Sequence, residues 1–415
     1  MKPKRQSLPQ QLPLLARQPI LDEQLKVVGY ELLCRPMPED SSKWQTQFGD
    51  EATSEVLIST FNDLGIEIVT GGLPAHINYT KFWLNNPPPI PTKLVVVEIL
   101  EYIQPTLENI EALKKLHAMG YTIALDDFLG DEAFEQFFPY AHIIKIDIRL
   151  LDSLERVTEI INRYKKHDVI WLAEKVETVE EFEFCKNAGC SLFQGYFFSK
   201  PINVYGERLP DNHTSVLRLL HTLNNDNASI EDIAKVLKTE PIFSYKILKI
   251  VNSAAFGMQR EISSIQQAIM MIGLNQIRSW SNVIALGRLQ DKPDVLREQS
   301  VVRAALCQSL SAHFPKLDPE TGFTLGLFSL LPAFINKPMA ELCKQLNLPH
   351  DLSAALTSFK GDYGVVLRTT LAMEKGHWET IDWAYLESLN ISPVTLEKLY
   401  LHALQETRAL LNSVH

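Results

Sequence analysis

Seven places in the first half of the chain put a charged or amide side chain at or near the end of a short apolar run. In order they are Glu31, Asn78, Glu98, Asp126 with Asp127, Lys145 with Asp147, Glu174 and Gln194. A single acidic residue after such a run is ordinarily a loop residue or a helix cap. Seven in series form a different pattern. If the runs are parallel strands of one β/α barrel, their C-terminal ends open on one mouth, where such barrels carry their chemistry. Carboxylates gathered there repel one another. A divalent cation relieves the repulsion, and hard oxygen ligands select Mg²⁺ or Mn²⁺. The neighbouring carboxylate in Asp126-Asp127 can bridge to a second ion. Paired ions in a carboxylate cup are apparatus for phosphodiester hydrolysis. Lys145 adds positive charge that can hold a phosphate or an attacking water.

The elements that must position these residues follow from the apolar pattern. Strands are predicted over Val27–Leu33, Ala75–Asn78, Leu94–Glu98, Thr122–Asp126, Ile143–Asp147, Val169–Glu174 and Ser191–Gln194, all short and rich in Val, Ile and Leu. Amphipathic helices are predicted between them over Leu107–Met119, Leu154–Tyr164 and Val179–Ala188, with Gly120 and Gly189 as terminators. Strand–helix alternation implies a mainly parallel sheet, open or closed. No Gly-x-Gly-x-x-Gly follows the first strand, which argues against dinucleotide binding.

The grammar changes after Pro201. From Thr214 onward apolar residues recur at three- and four-residue spacing. Helices are predicted over Ser215–Leu223, Ser229–Leu237, Ile242–Asn252, Ser264–Met271, Gln276–Leu286 and Val295–His313. Ser229 and Asp232 resemble a capping box. The expected division is a β/α barrel over 1–203, a linker over 204–213 and an all-α unit over 214–415.

Composition sets the class. At 415 residues the chain has room for two to four domains. Its 46% hydrophobic content fits globular protein and excludes global disorder. A net charge of −10 argues against a surface that tracks a nucleic acid polymer. The five scattered cysteines form neither zinc-like pairs nor a disulfide framework, which points to a reducing compartment. The first residues lack the apolar core of a signal peptide. The most apolar stretch, Phe323 to Ile335, is too short to span a bilayer and holds Pro332. A soluble cytoplasmic protein is expected.

At the residues named above the first half resembles the EAL family, cyclic di-GMP phosphodiesterases with a TIM-like barrel. The likeness runs from about Leu15 to Pro201. It is carried by Arg17-Gln18-Pro19-Ile20, Glu31-Leu32-Leu33-Cys34-Arg35, Ile77-Asn78, Glu98-Ile99-Leu100-Glu101 and Asp126-Asp127-Phe128. It continues through Lys145-Ile146-Asp147, Ala173-Glu174-Lys175-Val176-Glu177 and Gln194-Gly195-Tyr196-Phe197-Phe198-Ser199-Lys200-Pro201. The second half resembles the HDOD domain, a helical relative of metal-dependent HD phosphohydrolases. The carriers are Ala228–Asp232, Glu240-Pro241, Val251-Asn252-Ser253-Ala254-Ala255-Phe256 and Ile262–Gly273.

The resemblance implies hydrolysis of cyclic di-GMP to linear pGpG with two Mg²⁺ or Mn²⁺ ions. It implies that Glu31, Asn78, Glu98 and Asp126 hold one ion and that Asp127 holds the second. Lys145 and Glu174 would orient and deprotonate the attacking water. Gln18, Arg35, Asp147, Glu177 and Gln194 would bind the ligand, with Glu177 and Gln194 completing the floor. Glu101 would steady the loop after Asp127. In the family that loop also makes a dimer contact, so a homodimer is implied.

Two departures keep a second reading open. Active members follow Asp-Asp with Phe-Gly-Thr-Gly-Tyr-Ser-Ser, whereas this chain reads Phe128-Leu129-Gly130-Asp131-Glu132-Ala133-Phe134. Lys175 replaces the glycine between the two glutamates, where it could neutralise Glu174 or displace a metal. The alternative is therefore an inactive cyclic di-GMP receptor or a scaffold acting through protein contacts. In the helical half, Ser329 and Leu330 fall where a catalytic relative carries its His-Asp pair. Of the two His-Asp dipeptides, His167-Asp168 precedes a predicted strand, and His350-Asp351 reads as a helix start with Asp351 as the cap. The helical half is expected to be a non-catalytic module for an unidentified protein partner. The tryptophans Trp83, Trp171, Trp280, Trp378 and Trp383 read as packing residues.

Overall fold

The structure is a computed structural model that describes residues 14–35, 66–88, 90–197, 220–225, 228–230, 233, 247, 251, 265–286, 293–345 and 348–414. Its first half is a closed eight-stranded, TIM-like barrel. The strands are β1 (Leu14–Asp22), β2 (Val27–Arg35), β3 (Ala75–Tyr79), β4 (Val95–Ile99), β5 (Thr122–Leu125), β6 (Ile143–Asp147), β7 (Ile170–Val176) and β8 (Leu192–Gly195). Strands β2 to β8 run parallel, and β1 is antiparallel to both its neighbours, β2 and β8. The seven expected strands are present, with no end shifted by more than two residues. The eighth, β1, was not among them, and its direction departs from an all-parallel sheet.

Local chemistry explains why β1 is hard to see. Pro19 interrupts its pattern, and a proline ordinarily argues against a paired strand. Here pairing with β8 begins only at Ile20, so at Pro19 one side of the strand has no sheet neighbour. The turn into β2 lacks the usual glycine or asparagine, and Leu25 takes the positive φ of 61° instead.

Period-two alternation builds the interior. Ile20, Val96, Ala124, Ile143 and Leu172 form a buried apolar cluster, with Leu192 packed against it. Two residues further along the parallel strands come Glu98, Asp126, Lys145, Glu174 and Gln194. On the reversed β1 the step runs backwards, from Ile20 to Gln18. The apolar layer thus closes the barrel beneath a polar one. The helices Leu107–Ala118, Glu155–Tyr164 and Val179–Ala188 flank the barrel within a residue of expectation at each end. Thr178 and Glu181 form a capping box on the third, and Gly189 ends it.

The second half is helical. Helices over Ile265–Ile272, Leu274–Leu286 and Asp294–Ser311 match expectation within two residues, and Pro319–Phe328, Gly361–Lys375 and Pro393–Val414 extend the bundle. The helices expected over 215–223, 229–237 and 242–252 lie largely outside the described residues, as does Asp232. The helix His350–Ser358 has Pro349 as its N-cap, so Asp351 sits in the first turn and does not cap. Trp171, Trp280 and Trp378 are buried, and Trp83 and Trp383 pack against the same core. No helix among the described residues is long and apolar enough to cross a membrane.

The two halves meet along β1. Leu15 N donates to Glu397 Oε2 at 2.9 Å, and Arg17 donates to Glu298 Oε1 at 2.5 Å and to Val69 O at 2.7 Å. Tyr30 OH donates to Glu298 at 3.1 Å, and the Arg17 guanidinium lies 4.3 Å from the Tyr30 ring centre. In the stretch of β1 that β8 leaves unpaired, the Leu15 N–H thus finds its acceptor on a helix side chain.

Candidate active site

Lys145 is the centre of the polar layer. Its side chain is fully buried, and its Nζ lies 2.8 Å from Asp126, 2.9 Å from Glu174, 3.0 Å from Glu98 and 3.5 Å from Glu31. These carboxylates come from β2, β4, β7 and the turn after β5, so only the closed barrel brings them together. Burial works against the charge on Lys145, but Asp126, Glu174, Glu31 and Glu98 outweigh it and hold the ammonium well above the usual lysine range. Burial, together with the other carboxylates, pushes Glu98 and Glu174 well above theirs, against the pull of Lys145. One ammonium does not balance four carboxylates.

Glu31 links three more strands. It accepts from Gln194 Nε2 at 2.7 Å and from Asn78 Nδ2 at 3.4 Å, and the same Gln194 amide donates to Gln18 Oε1 at 2.9 Å. Gln18, Glu31, Asn78 and Gln194 thus form one network beside Lys145. The side chain of Arg35, expected to face the ligand, lies outside the described residues.

A second acidic group adjoins the first. The carboxylates of Glu101, Asp126 and Asp127 each place an oxygen within 4.8 Å of the others, a spacing that suits a shared cation. Partial burial and the neighbouring Asp126 and Asp147 push Asp127 up to about 6. This group sits on a cavity of about 420 Å³, whose other walls include Phe128, Leu129, Phe134 and Phe137. The departed loop therefore lines the cavity, with Glu132–Phe137 as a short 3-10 helix.

The observations fit a divalent cation. Oε2 of Glu98 is buried with no hydrogen-bond partner among the described residues. Carboxylates whose ionisation is suppressed by one another, with a free buried oxygen among them, are what added positive charge would stabilise.

Three residues take places that their types did not reveal. Lys175 forms its ion pair with Asp147, while Glu174 acts on it only as a more remote charge. Asp147 also accepts from Arg149 N at 2.8 Å, so both its oxygens are engaged. Lys175 has a positive φ of 55°, a conformation that favours glycine. It belongs to a bulge where the β7–β8 register shifts, and β8 can pass there because Gly195 has no side chain: a Cβ would lie 2.0 Å from Val176 O. Glu177, expected on the floor, is exposed, and its backbone N–H donates to Glu181, so it belongs to the rim.

Sequence reasoning missed His76. It is buried on β3, and its Nδ1 lies 2.9 Å from Glu98 Oε1. Burial and Lys145 push the imidazole down to about 3, so it is neutral. The available signal was its position two residues before Asn78, on the same face of the strand.

The expected His-Asp position in the helical half, Ser329-Leu330, lies against an ion pair. Arg303 Nε donates to Glu374 Oε2 at 2.6 Å, and Arg303 Nη1 donates to Ser329 Oγ at 3.1 Å. Leu330 is buried beside it in sequence. Among the described residues, no group of three or more metal-ligating side chains occurs in this half.

Family comparisons divide the chain in the same order. The EAL domain model matches residues 76–201, and the HDOD domain model matches residues 209–346. The chain is 34% identical over 377 residues to the uncharacterised protein YuxH of Bacillus subtilis, covering 88% of this chain and 91% of that one. It is 32% identical over 379 residues to the cyclic di-GMP phosphodiesterase CdgJ of Vibrio cholerae, covering 90% of this chain and 87% of that one. Among solved structures, Klebsiella pneumoniae BlrP1 with manganese and cyclic di-GMP is similar over 46% of this chain and 57% of that one, at 22% identity and TM-score 0.38.

Proposed function

The chain belongs to the EAL–HDOD family of signalling proteins, and from that premise we propose that its barrel is a divalent-metal-dependent phosphodiesterase that opens cyclic di-GMP to linear pGpG. The observation that carries this reading is the ring of Glu31, Glu98, Asp126 and Glu174 around Lys145, with Glu101 and Asp127 beside it. Likeness to CdgJ over most of both chains supports it.

In this reading Glu31, Asn78, Glu98 and Asp126 hold one Mg²⁺ or Mn²⁺, and Asp127 holds a second with support from Glu101. Bound ions of this kind polarise phosphoryl oxygens and make water a better nucleophile. The chain supplies the rest. Glu174, whose carboxyl is held high by burial and the neighbouring carboxylates, takes the proton of the attacking water. Lys145 offsets the carboxylate charge that would otherwise repel a phosphodiester. Gln18 and Gln194 orient the ligand at the floor, and Arg35, Asp147 and Glu177 are further residues proposed to bind it. The helical unit over 214–415, joined by a linker over 204–213 to the barrel unit over 1–203, binds a protein partner and regulates the barrel. A homodimer through the loop after Asp127 and a cytoplasmic setting belong to the same proposal.

One observation favours the receptor alternative. Lys175 fills a glycine position and occupies Asp147, a residue assigned to ligand binding. Incubation of the purified protein with cyclic di-GMP and Mn²⁺, with products resolved by chromatography, separates the readings. Appearance of pGpG supports the enzyme. Binding without pGpG leaves the receptor, and absence of binding removes both.

A further inference from the structure

His76 stands inside the barrel one alternation below Asn78, in register with Glu31 on β2 and Val96 on β4. Its ring occupies space that a side chain at position 29 would take. A Cβ on Gly29 would lie 3.3 Å from Cδ2 and 3.4 Å from Nε2 of His76. The opposite edge of the ring presents Nδ1 to Oε1 of Glu98 at 2.9 Å. That same oxygen is 3.0 Å from Lys145 Nζ. Lys145 and His76 therefore both contact Oε1, while Oε2 has no hydrogen-bond partner among the described residues.

A glutamate carboxylate, on three rotatable side-chain bonds, has no fixed orientation of its own. Here one oxygen is held from two strands, so the other is left as the ligand atom. We propose that His76 is a positioning residue for cation binding: by donating Nδ1–H to Oε1 of Glu98, it fixes that carboxylate with Oε2 free for the metal. The inference rests on the metal-site reading above and adds a residue to it. Partners that hydrogen-bond a metal-ligating group typically change metal affinity by about 10- to 100-fold when removed.

The test is calorimetric titration of the full-length chain with Mn²⁺ alone, with urea unfolding of each variant in the absence of metal. His76→Phe keeps the ring and loses the donor. His76→Asn places an amide near the Nδ1 position, and His76→Gln reaches toward the Nε2 position. His76→Phe should bind Mn²⁺ roughly 10- to 100-fold more weakly, with His76→Asn close to wild type and His76→Gln weakened. Equal Mn²⁺ affinity in wild type and His76→Phe would overturn the role of His76 alone. Loss in His76→Asn as large as in His76→Phe would also overturn it, because the donor would then not be the cause. If His76→Phe does not fold, the amide pair decides: Asn above Gln supports the role, and equality removes it. A wild type that takes up no Mn²⁺ overturns the metal site itself and this inference with it.

Discussion

Arg17 of β1 and Glu298 of the helix Asp294–Ser311 join the two halves of the chain through a 2.5 Å contact between Nη2 and Oε1. The residue after Arg17 is Gln18, which points to the opposite face of the strand and accepts from Gln194 beside Glu31. One strand therefore touches the helical half on one face and the polar network on the other. Glu298→Ala removes the acceptor shared by Arg17 Nη2 and Tyr30 OH, leaving two partly buried donor groups. It should cost about 1–3 kcal/mol of stability. Urea unfolding of the whole chain measures this, and an unchanged curve would mean that the halves are held by other contacts.

Glu397 gives a pH dependence with a definite sign. Burial pushes its carboxyl up to about 8, while the Leu15 N–H works against the rise. An unfolded glutamate titrates near pH 4. From about there to pH 8 the folded chain keeps a proton that the unfolded chain has released. This group's contribution to stability therefore falls as pH rises through that window and is level above it. The slope is at most about 1.4 kcal/mol per pH unit. Glu397→Gln keeps an acceptor for Leu15 and should flatten the decline. Unfolding curves at low, neutral and mildly alkaline pH should show the variant gaining on wild type as pH rises; a constant difference would remove Glu397 as the cause.

The acidic residues divide by role. Glu31→Ala and Asp126→Ala should each abolish Mn²⁺ uptake without unfolding the barrel, as seen by calorimetry beside circular dichroism. Glu174→Gln keeps the shape and loses the base, so turnover should fall by about 10²- to 10⁴-fold while cyclic di-GMP affinity stays. Parallel loss of affinity would make Glu174 a binding residue instead.

Arg303 and Glu374 form a buried pair beside Ser329, one of the two positions where the sequence resemblance implies a His-Asp pair in a catalytic relative. Glu374→Ala leaves the guanidinium buried without its carboxylate and should cost about 3–5 kcal/mol. The double variant Arg303→Met with Glu374→Leu should recover most of that loss, because a paired apolar replacement strands no charge. Chain metal content, measured by elemental analysis, should be the same in the double variant and wild type. A metal bound through this position would instead disappear with the pair.

Much of the barrel was legible along the chain. Strands β2 to β8 announced themselves as short Val, Ile and Leu runs, and the acids at their ends pointed to one mouth. That information is local: a run and its terminal residue are neighbours in sequence, and period two fixes which side chains share a face. Strand β1 escaped because Pro19 and Leu25 break the local rules, and part of what holds the strand comes from residues far away. Leu15 depends on Glu397, a separation of 382 residues. Partner choice was equally invisible. Whether Lys175 meets Glu174 or Asp147 depends on a bulge and on the space that Gly195 leaves beside Val176. His76 reads as an ordinary strand residue until Gly29 makes room for its ring and β4 brings Glu98 to its Nδ1. The types of the site residues are a property of the sequence; which atoms of those residues are engaged and which stay free is decided by closure of the barrel, because hydrogen bonds and charge pairing act over a few ångströms between strands that the chain itself keeps apart.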